Sequence, residues 1–162
     1  MAAIENIGKS NEWYTPKYLF DALGEKFDLD VAHPTDPDLT FVPCEDFISE
    51  GSLDRHWRGF VWMNPPFGGR NGMVPWLDRF YEHGNGIALS TDKSSSGWWQ
   101  DSAHKCDAML AIRGRVRFYT PSGDRGGQPV NGTTLWASGY RGVNALRRAE
   151  KNGLGAFFSR KR

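Results

Sequence analysis

The residues Asn64-Pro65-Pro66-Phe67 could hold a planar amino group and make it nucleophilic. An amine attached to an aromatic ring is a poor nucleophile, because its lone pair is delocalised into the ring. The side-chain oxygen of Asn64 and the carbonyl of Pro65 could each accept one N–H, which would leave the lone pair on the nitrogen. Neither proline has an N–H to compete, and both fix φ, so the acceptors would be preorganised. Phe67 would then stack on the face of the heterocycle.

Two short strands are predicted to end at residues that could do this chemistry. Residues 59–63 form an apolar run typical of a buried strand, and the run stops at Asn64. Residues 27–32 alternate apolar and polar side chains, which predicts a strand with Asp30 near its carboxyl end. In open α/β sheets ligands bind outside the carboxyl ends of strands, so both residues are expected at one site. The competing interpretation of Asn64 is an ordinary exit from a strand into a turn.

Apolar periodicity, together with glycines and prolines, predicts the remaining elements. Thr15 and Pro16 favour a helix N-cap and first helical residue, and Gly24 ends that helix. The Pro-rich residues 33–43 are predicted as a loop, and a second helix is expected to begin near Pro75. The other predicted elements are a strand at 87–90, a helix at 98–105 and strands at 108–112, 116–119, 133–138 and 156–158.

The net charge of +1 conceals an uneven distribution along the 162 residues. Residues 1–92 contain 7 Lys and Arg against 15 Asp and Glu, a net charge of −8, whereas residues 93–162 contain 13 against 4, a net charge of +9. The basic half also carries aromatic residues among its arginines, a mixture suited to bases and phosphates. Nucleic acid is therefore the predicted partner, although two solvated faces that attract each other would give the same counts. The candidate nucleic-acid contacts are Arg70, Trp98, Trp99, Arg113, Arg115, Arg117 and Arg125.

The sequence resembles the phage-encoded DNA N6-adenine methyltransferases over most of its length. The resemblance is carried by residues 12–16, 27–32 and 61–68, by Phe47, Gly51, Leu53 and Trp57, and loosely by residues 98–99 and 112–118. It implies a reduced Rossmann-like methyltransferase fold, with a mostly parallel central sheet and flanking helices. It also implies S-adenosylmethionine as methyl donor, double-stranded DNA as partner and the N6 amine of adenine in that DNA as acceptor.

The resemblance also assigns roles to particular residues. Asn64, Pro65, Pro66 and Phe67 would form the catalytic loop that holds a flipped adenine. Tyr14, Thr15 and Pro16 would hold the methionine end of the cofactor, and Asp28, Asp30 and Ala32 would belong to its first binding strand.

The sequence departs from the usual pattern after Asp30. No Gly-x-Gly-x-x-Gly motif follows it, and only 33 residues separate Ala32 from Pro66. That spacing leaves little room for the helix and strand that would supply an acidic ligand to the cofactor ribose. The candidates for this ligand are Asp36 and Asp38, while Asp46 and Phe47 are candidates for contact with the cofactor's adenine.

Length and composition favour one domain spanning residues 1–162, with an acidic catalytic half to about residue 92 and a basic DNA-facing half after it. The histidines and the two cysteines have no metal-ligand spacing, so no metal site is expected. The absence of a signal peptide and of a long apolar run predicts a cytoplasmic protein, away from membranes. The resemblance to phage-encoded enzymes implies that this is the cytoplasm of a bacterial host cell. A monomer is assumed.

Three alternatives remain open from the residues alone. The same acceptor geometry would serve the N4 amine of cytosine or a side-chain amide of a protein. The missing glycine motif also permits a DNA-binding protein that keeps the fold without catalysis.

Overall fold

A computed structural model describes residues 13–36, 38, 40–66, 68, 71–124, 126–127 and 129–160. Within these ranges the chain forms four α-helices, seven strands and a short 3₁₀ helix at Ser52–Asp54. The helices are α1 (Lys17–Leu23), α2 (Met73–His83), α3 (Gly97–Lys105) and α4 (Tyr140–Lys151). The strands are β1 (Phe27–Asp30), β2 (Cys44–Phe47), β3 (Val61–Met63), β4 (Gly86–Thr91), β5 (Ala108–Ile112), β6 (Thr133–Ser138) and β7 (Gly155–Ser159).

The seven strands form one mixed sheet in the order β2-β1-β3-β4-β6-β5-β7. Strands β2, β1, β3 and β4 are parallel to one another. Strand β6 is antiparallel to both β4 and β5, so β5 points in the same direction as β4. The edge of the sheet at which β1, β3, β4 and β5 all end is called the carboxyl edge below.

Helices cover both faces of the sheet, because alternate residues of its buried strands point to opposite sides. On one face, Leu135 and Ala137 of β6 pack in the cluster that includes residues of α1 and α4. On the other face, Trp136 packs in the cluster with residues of α2, and residues of α3 lie against it. The predicted α/β, Rossmann-like architecture is confirmed by this layered arrangement.

Most predicted elements are present with small shifts at their ends. The predicted strands at 87–90, 108–112, 133–138 and 156–158 correspond to β4, β5, β6 and β7. The helix expected near Pro75 begins at Met73. The first helix begins one residue later than predicted, because Pro16 is its N-cap and no side chain caps it.

One predicted strand is wrong, and two elements of the structure were not predicted. Residues 116–119 are not a strand; Tyr119 makes a single bridge to Tyr14. Strand β2 was not predicted, because its residues Cys44–Phe47 are polar or half-exposed and lack the apolar alternation of a buried strand. Helix α4 was not predicted either, because it follows Gly139 at φ 87° rather than a Ser, Thr, Asp or Asn cap.

No helix in the described part of the chain is long and apolar enough to cross a membrane.

Close packing of α4 on the sheet predicts that Gly142 cannot be enlarged. A Cβ added there would lie 2.7 Å from the carbonyl oxygen of Gly86 and 3.2 Å from Cβ of Ala137. Overpacking of this kind costs roughly 1–3 kcal/mol, against a gain of about 1 kcal/mol from replacing a helical Gly by Ala. We expect Gly142→Ala to lower the Tm by a few degrees in thermal denaturation.

Gly97→Ala is the matched control for this substitution. Gly97 is also helical, and a Cβ there meets nothing within 4 Å. The Tm of the Gly97→Ala protein is expected to stay the same or rise slightly. A Gly142→Ala protein as stable as Gly97→Ala would contradict the packing described for α4.

Candidate active site

The order of the strands reverses between β1 and β3. Strand β2 lies on one side of β1 in the sheet, whereas β3 and then β4 lie on the other side. Asp30 pairs with Trp62, and the backbone N–H of Val31 donates to the carbonyl of Trp62 at 3.0 Å. The turn after β1 therefore lies beside the turn after β3. In open α/β sheets this reversal opens a crevice at the carboxyl edge, where ligands bind.

A cavity of about 520 Å³ lies at this crevice. Cavities that bind small molecules and cofactors typically measure roughly 300–1,000 Å³. Its wall comes from residues 31–35, 51–54 and 64–66, together with Trp13, Ser49 and Trp76. The structure thus brings the turn after β1, the segment after β2 and the predicted catalytic loop to one cavity.

Asn64 lines the cavity, and its side chain is hydrogen-bonded on one side. The amide Nδ2 donates to the hydroxyl oxygen of Thr15 at 3.0 Å. Thr15 is 4% exposed, and Asn64 is half-buried. Within the described ranges no hydrogen bond occupies Oδ1 of Asn64. This oxygen is therefore available as an acceptor.

The two prolines differ in exposure. Pro65 is buried and Pro66 is exposed, and both line the cavity. The carbonyl of Pro66 accepts the N–H of Gly68 at 3.0 Å, which closes the turn. No hydrogen bond among the described residues occupies the Pro65 carbonyl. The predicted residues Phe67, Arg70 and Arg125 lie outside the described residues.

Of the residues assigned to the cofactor, Ala32 lines the cavity and the others do not. Tyr14 is buried and makes two backbone hydrogen bonds of 3.0 Å with Tyr119. Pro16 is buried and precedes α1. The carboxylate of Asp28 accepts the N–H of Phe60 at 2.7 Å, which ties β1 to the start of β3. Asp28 is placed as a structural residue, away from the cavity.

Asp30 is almost fully buried at the end of β1, with 1% exposure. Its carboxylate accepts the N–H of Ala32 at 3.2 Å and so holds the turn that lines the cavity. Burial raises the pKa of the Asp30 carboxyl from 3.8 to about 7, because desolvation penalises the charged form; the bond from Ala32 opposes this only in part. Asp30 therefore shapes the cavity from behind its wall.

Sequence reasoning did not identify several residues of the wall. His33 is buried with its ring stacked on Phe47 at 4.2 Å between centroids, and burial lowers its pKa. Ser52 and Asp54 come from the 3₁₀ helix that follows β2. Because β2 itself was not predicted, nothing in the sequence marked these residues as following a strand end.

The candidate acidic ligands are placed on the surface. Asp36 is exposed and accepts the N–H of Asp38, which is also exposed. Asp46 is exposed and accepts the N–H of Phe47. None of these residues lines the cavity, whereas Asp54 does.

The basic residues after β5 share the carboxyl edge with the cavity. Arg113, Arg115 and Arg117 follow the last residue of β5 and are exposed. Nε of Arg117 donates to the carbonyl of Gly126 at 3.2 Å, which braces the loop after it. A Cβ on Gly126 would lie 2.9 Å from the ring of Trp13, so this loop packs on the cavity wall.

The structure gives Trp98 and Trp99 packing roles instead of bringing them to the cavity. Both are half-buried against the cluster beneath α2 and α3. The ring of Trp99 contacts Trp136 edge to face at 5.0 Å, and its Nε1 donates to Thr134 at 3.3 Å. This pair was expected to contact bases, and in the structure both rings pack against this cluster while they remain partly exposed.

Metal ligands are not clustered in the described part of the chain. No group of three or more His, Cys, Asp or Glu side chains there could hold a metal ion.

The buried carboxyl of Asp30 predicts a pH-dependent contribution to stability. Asp30 ionises near pH 3.8 when unfolded and near pH 7 when folded, so folding becomes less favourable as pH rises between these values. Asp30→Asn removes the ionisation and keeps an oxygen for the Ala32 N–H. The stability of Asp30→Asn relative to the original protein should rise from pH 4 to pH 7 and then level off. Over this pH range, the difference in unfolding free energy between the two proteins should change by on the order of 4 kcal/mol at most.

Denaturant unfolding of both proteins from pH 4 to pH 9 measures this difference, with the Tm as a second readout. A stability difference that stays constant across this range would contradict the shifted pKa of Asp30.

Comparison with known proteins agrees with the geometry. The family model described as DNA N-6-adenine-methyltransferase (Dam) matches residues 6–136, which include β1 to β5, most of β6 and the whole cavity wall. Neither the curated proteins nor the solved structures gave a match. The chain therefore belongs to the Dam family of DNA N-6-adenine-methyltransferases and is an adenine-specific DNA methyltransferase.

Proposed function

We propose that the cavity at the carboxyl edge binds S-adenosylmethionine and that Asn64 and Pro65 hold the N6 amine of adenine beside it. The observation that carries this proposal is the position of Asn64, with Oδ1 available in the wall of a cofactor-sized cavity at the reversal of strand order. When bound, S-adenosylmethionine supplies an electrophilic methyl group on a positively charged sulfur.

The wall of the cavity fits the parts of this cofactor. Trp13 and Trp76 offer aromatic surface for an adenine ring. Ser49, Ser52 and Asp54 offer oxygen acceptors for ribose hydroxyls and for an ammonium group. Ala32 brings its backbone to the cavity because Asp30 holds its N–H. An acidic side chain in the wall suits a cofactor that carries two positive centres.

Asn64 and Pro65 would act on the amine without forming a covalent bond to it. The two N–H groups of the amine donate to Oδ1 of Asn64 and to the carbonyl oxygen of Pro65. These bonds draw the nitrogen out of conjugation with the ring, so its lone pair becomes available for methylation. As the nitrogen forms its bond to the methyl group, the bond from that methyl to the sulfur would break, which leaves a neutral thioether, and the nitrogen would release one N–H proton to solvent. Phe67 would stack on the base after it has left the duplex.

The basic edge would bind the DNA that presents this adenine. Arg113, Arg115 and Arg117 are exposed at the same edge of the sheet as Asn64. Arginines on a loop beside the cavity could neutralise phosphates around the flipped nucleotide. The single domain would then be divided into an acidic part around the cofactor and a basic part facing the DNA.

Asn64→Ala should abolish most methyl transfer. Removal of Oδ1 leaves one of the two acceptors that hold the amine, and loss of such a preorganised partner typically lowers kcat by about 100- to 1,000-fold. The affinity for DNA should stay within about threefold, because phosphate contacts dominate binding. Transfer of labelled methyl groups from S-adenosylmethionine into DNA N6-methyladenine measures the first effect, and a binding titration measures the second.

Asn152→Ala is the control for this substitution. Asn152 also donates its amide to another part of the chain, to the carbonyl of Ala22 at 3.0 Å, but it lies outside the cavity wall. The kcat of the Asn152→Ala protein should be the same as that of the original enzyme. If Asn64→Ala transferred methyl groups as fast as Asn152→Ala, the catalytic role proposed for Asn64 would be wrong.

Arg115→Gln should weaken DNA binding and reduce its salt dependence. Loss of one phosphate contact lowers the magnitude of the slope of log K against log salt concentration by about one. Lys105→Gln removes the same charge at the end of α3, just before β5 begins, at the opposite edge of the sheet. Binding titrations at several salt concentrations should show the slope of Lys105→Gln unchanged. If the two variants gave equal slopes of log K against log salt concentration, the proposal that the basic carboxyl edge binds DNA would be wrong.

A further inference from the structure

Thr15 occupies a place that the cofactor assignment does not explain. It stands immediately before Pro16, the N-cap of α1, and no side chain caps that helix. Its hydroxyl is instead the partner of Asn64 Nδ2 at 3.0 Å, and Thr15 does not line the cavity. The hydroxyl therefore contacts the catalytic side chain from behind.

We propose that Thr15 is a positioning residue for methyl transfer: its hydroxyl accepts a hydrogen bond from Nδ2 of Asn64, so that the orientation with Oδ1 toward the adenine amine leaves no N–H of the amide unpaired behind it. This inference rests on the proposed role of Asn64. If the amide were turned over, its N–H groups would face the N–H groups of the substrate, and no hydrogen bond would form. The productive orientation requires a partner for Nδ2 on the side away from the cavity.

The reason that Thr15 matters is the cost of an unpaired amide N–H. Asn64 is half-buried, and Thr15 is 4% exposed, so little water reaches the back of the amide. Without the hydroxyl, the free enzyme can turn Nδ2 toward solvent in the cavity. The productive orientation then leaves Nδ2 unpaired next to an apolar neighbour, which is unfavourable. The penalty falls on the reacting complex and lowers kcat.

The segment that carries Thr15 is fixed by the later part of the chain. Tyr14 exchanges two backbone hydrogen bonds of 3.0 Å with Tyr119. The ring of Trp13 packs against Gly126, whose N–H donates to the carbonyl of Phe118 at 2.8 Å. Thr15 is thus held through the two residues that precede it, as a positioning residue must be if it is to fix a catalytic side chain.

The test is a kinetic comparison of Thr15→Val and Thr15→Ser. Val keeps the shape of Thr and removes the acceptor, whereas Ser keeps the hydroxyl. We expect Thr15→Val to lower kcat by about 10- to 100-fold, the usual effect of losing a partner behind a ligating or catalytic group. The KM for DNA and the Kd for S-adenosylmethionine should change less than about threefold. Thr15→Ser should keep kcat within about threefold of the original enzyme.

A second comparison in the Asn64→Asp background isolates the orientation of the amide. Both ends of a carboxylate are oxygens, so turning it over changes nothing. Thr15→Val should therefore lower kcat less in Asn64→Asp than in the original enzyme, which a general loss of packing would not produce. If Thr15→Val does not fold, as judged by its Tm, Thr15→Ala replaces it in both backgrounds.

The outcomes separate the inference about Thr15 from the proposed function on which it rests. A kcat of Thr15→Val equal to that of the original enzyme would overturn the inference about Thr15. A weaker Kd for S-adenosylmethionine with kcat unchanged at saturation would overturn it too, and would make Thr15 a cofactor ligand. Full activity in Asn64→Ala would overturn the proposed function itself, independently of any result at Thr15.

Discussion

The parallel pairing of β1 with β3 is the constraint on which the site depends. Asp30 opposes Trp62, and the backbone bond from Val31 to Trp62 continues the ladder past the end of β1. A one-residue slip in this register would turn the buried residues Leu29 and Val61 toward the wrong faces of the sheet, so the register is strongly specified. The two turns that enclose the cavity are therefore placed side by side by the packing of the core.

The residues next to the cavity hold one another in place. Thr15 pairs with Asn64 from outside the cavity wall. Asp30 carries a raised pKa because the desolvation of its buried carboxyl is offset only in part by one N–H, from Ala32. The buried carboxyl of Asp30 thus trades local stability for a fixed geometry at the site, a pattern that is common where function and folding make different demands.

The parts of the fold that could be predicted from the sequence are those in which the pattern of apolar side chains follows their burial. Strands β1 and β3 and the loop beginning at Asn64 were predicted in place, because each strand has apolar residues in a recognisable pattern. Strand β2 was missed because an exposed edge strand needs no such pattern; Asp46 and Phe47 both face solvent. The residues of the cavity wall that follow β2, such as Asp54, were missed with it.

Other errors had tertiary causes that no local pattern contains. The residues at 116–119 resemble a strand, but β5 already pairs with β6 and β7 on its two sides. The segment therefore makes its single bridge to Tyr14. The tryptophans of α3 were expected to contact bases, and in the structure both lie half-buried against the cluster beneath α2 and α3.

The position of β6 explains how one small sheet brings the basic residues to the edge that holds the cavity. If β5 paired directly with β4 in an antiparallel arrangement, it would end at the opposite edge, with Arg113, Arg115 and Arg117 far from Asn64. Because β6 lies between them and is antiparallel to both, the two reversals cancel and β5 ends at the carboxyl edge. The loop after β5 then packs on Trp13 through Gly126. The proposed DNA surface therefore depends on the strand order more than on the count of charges.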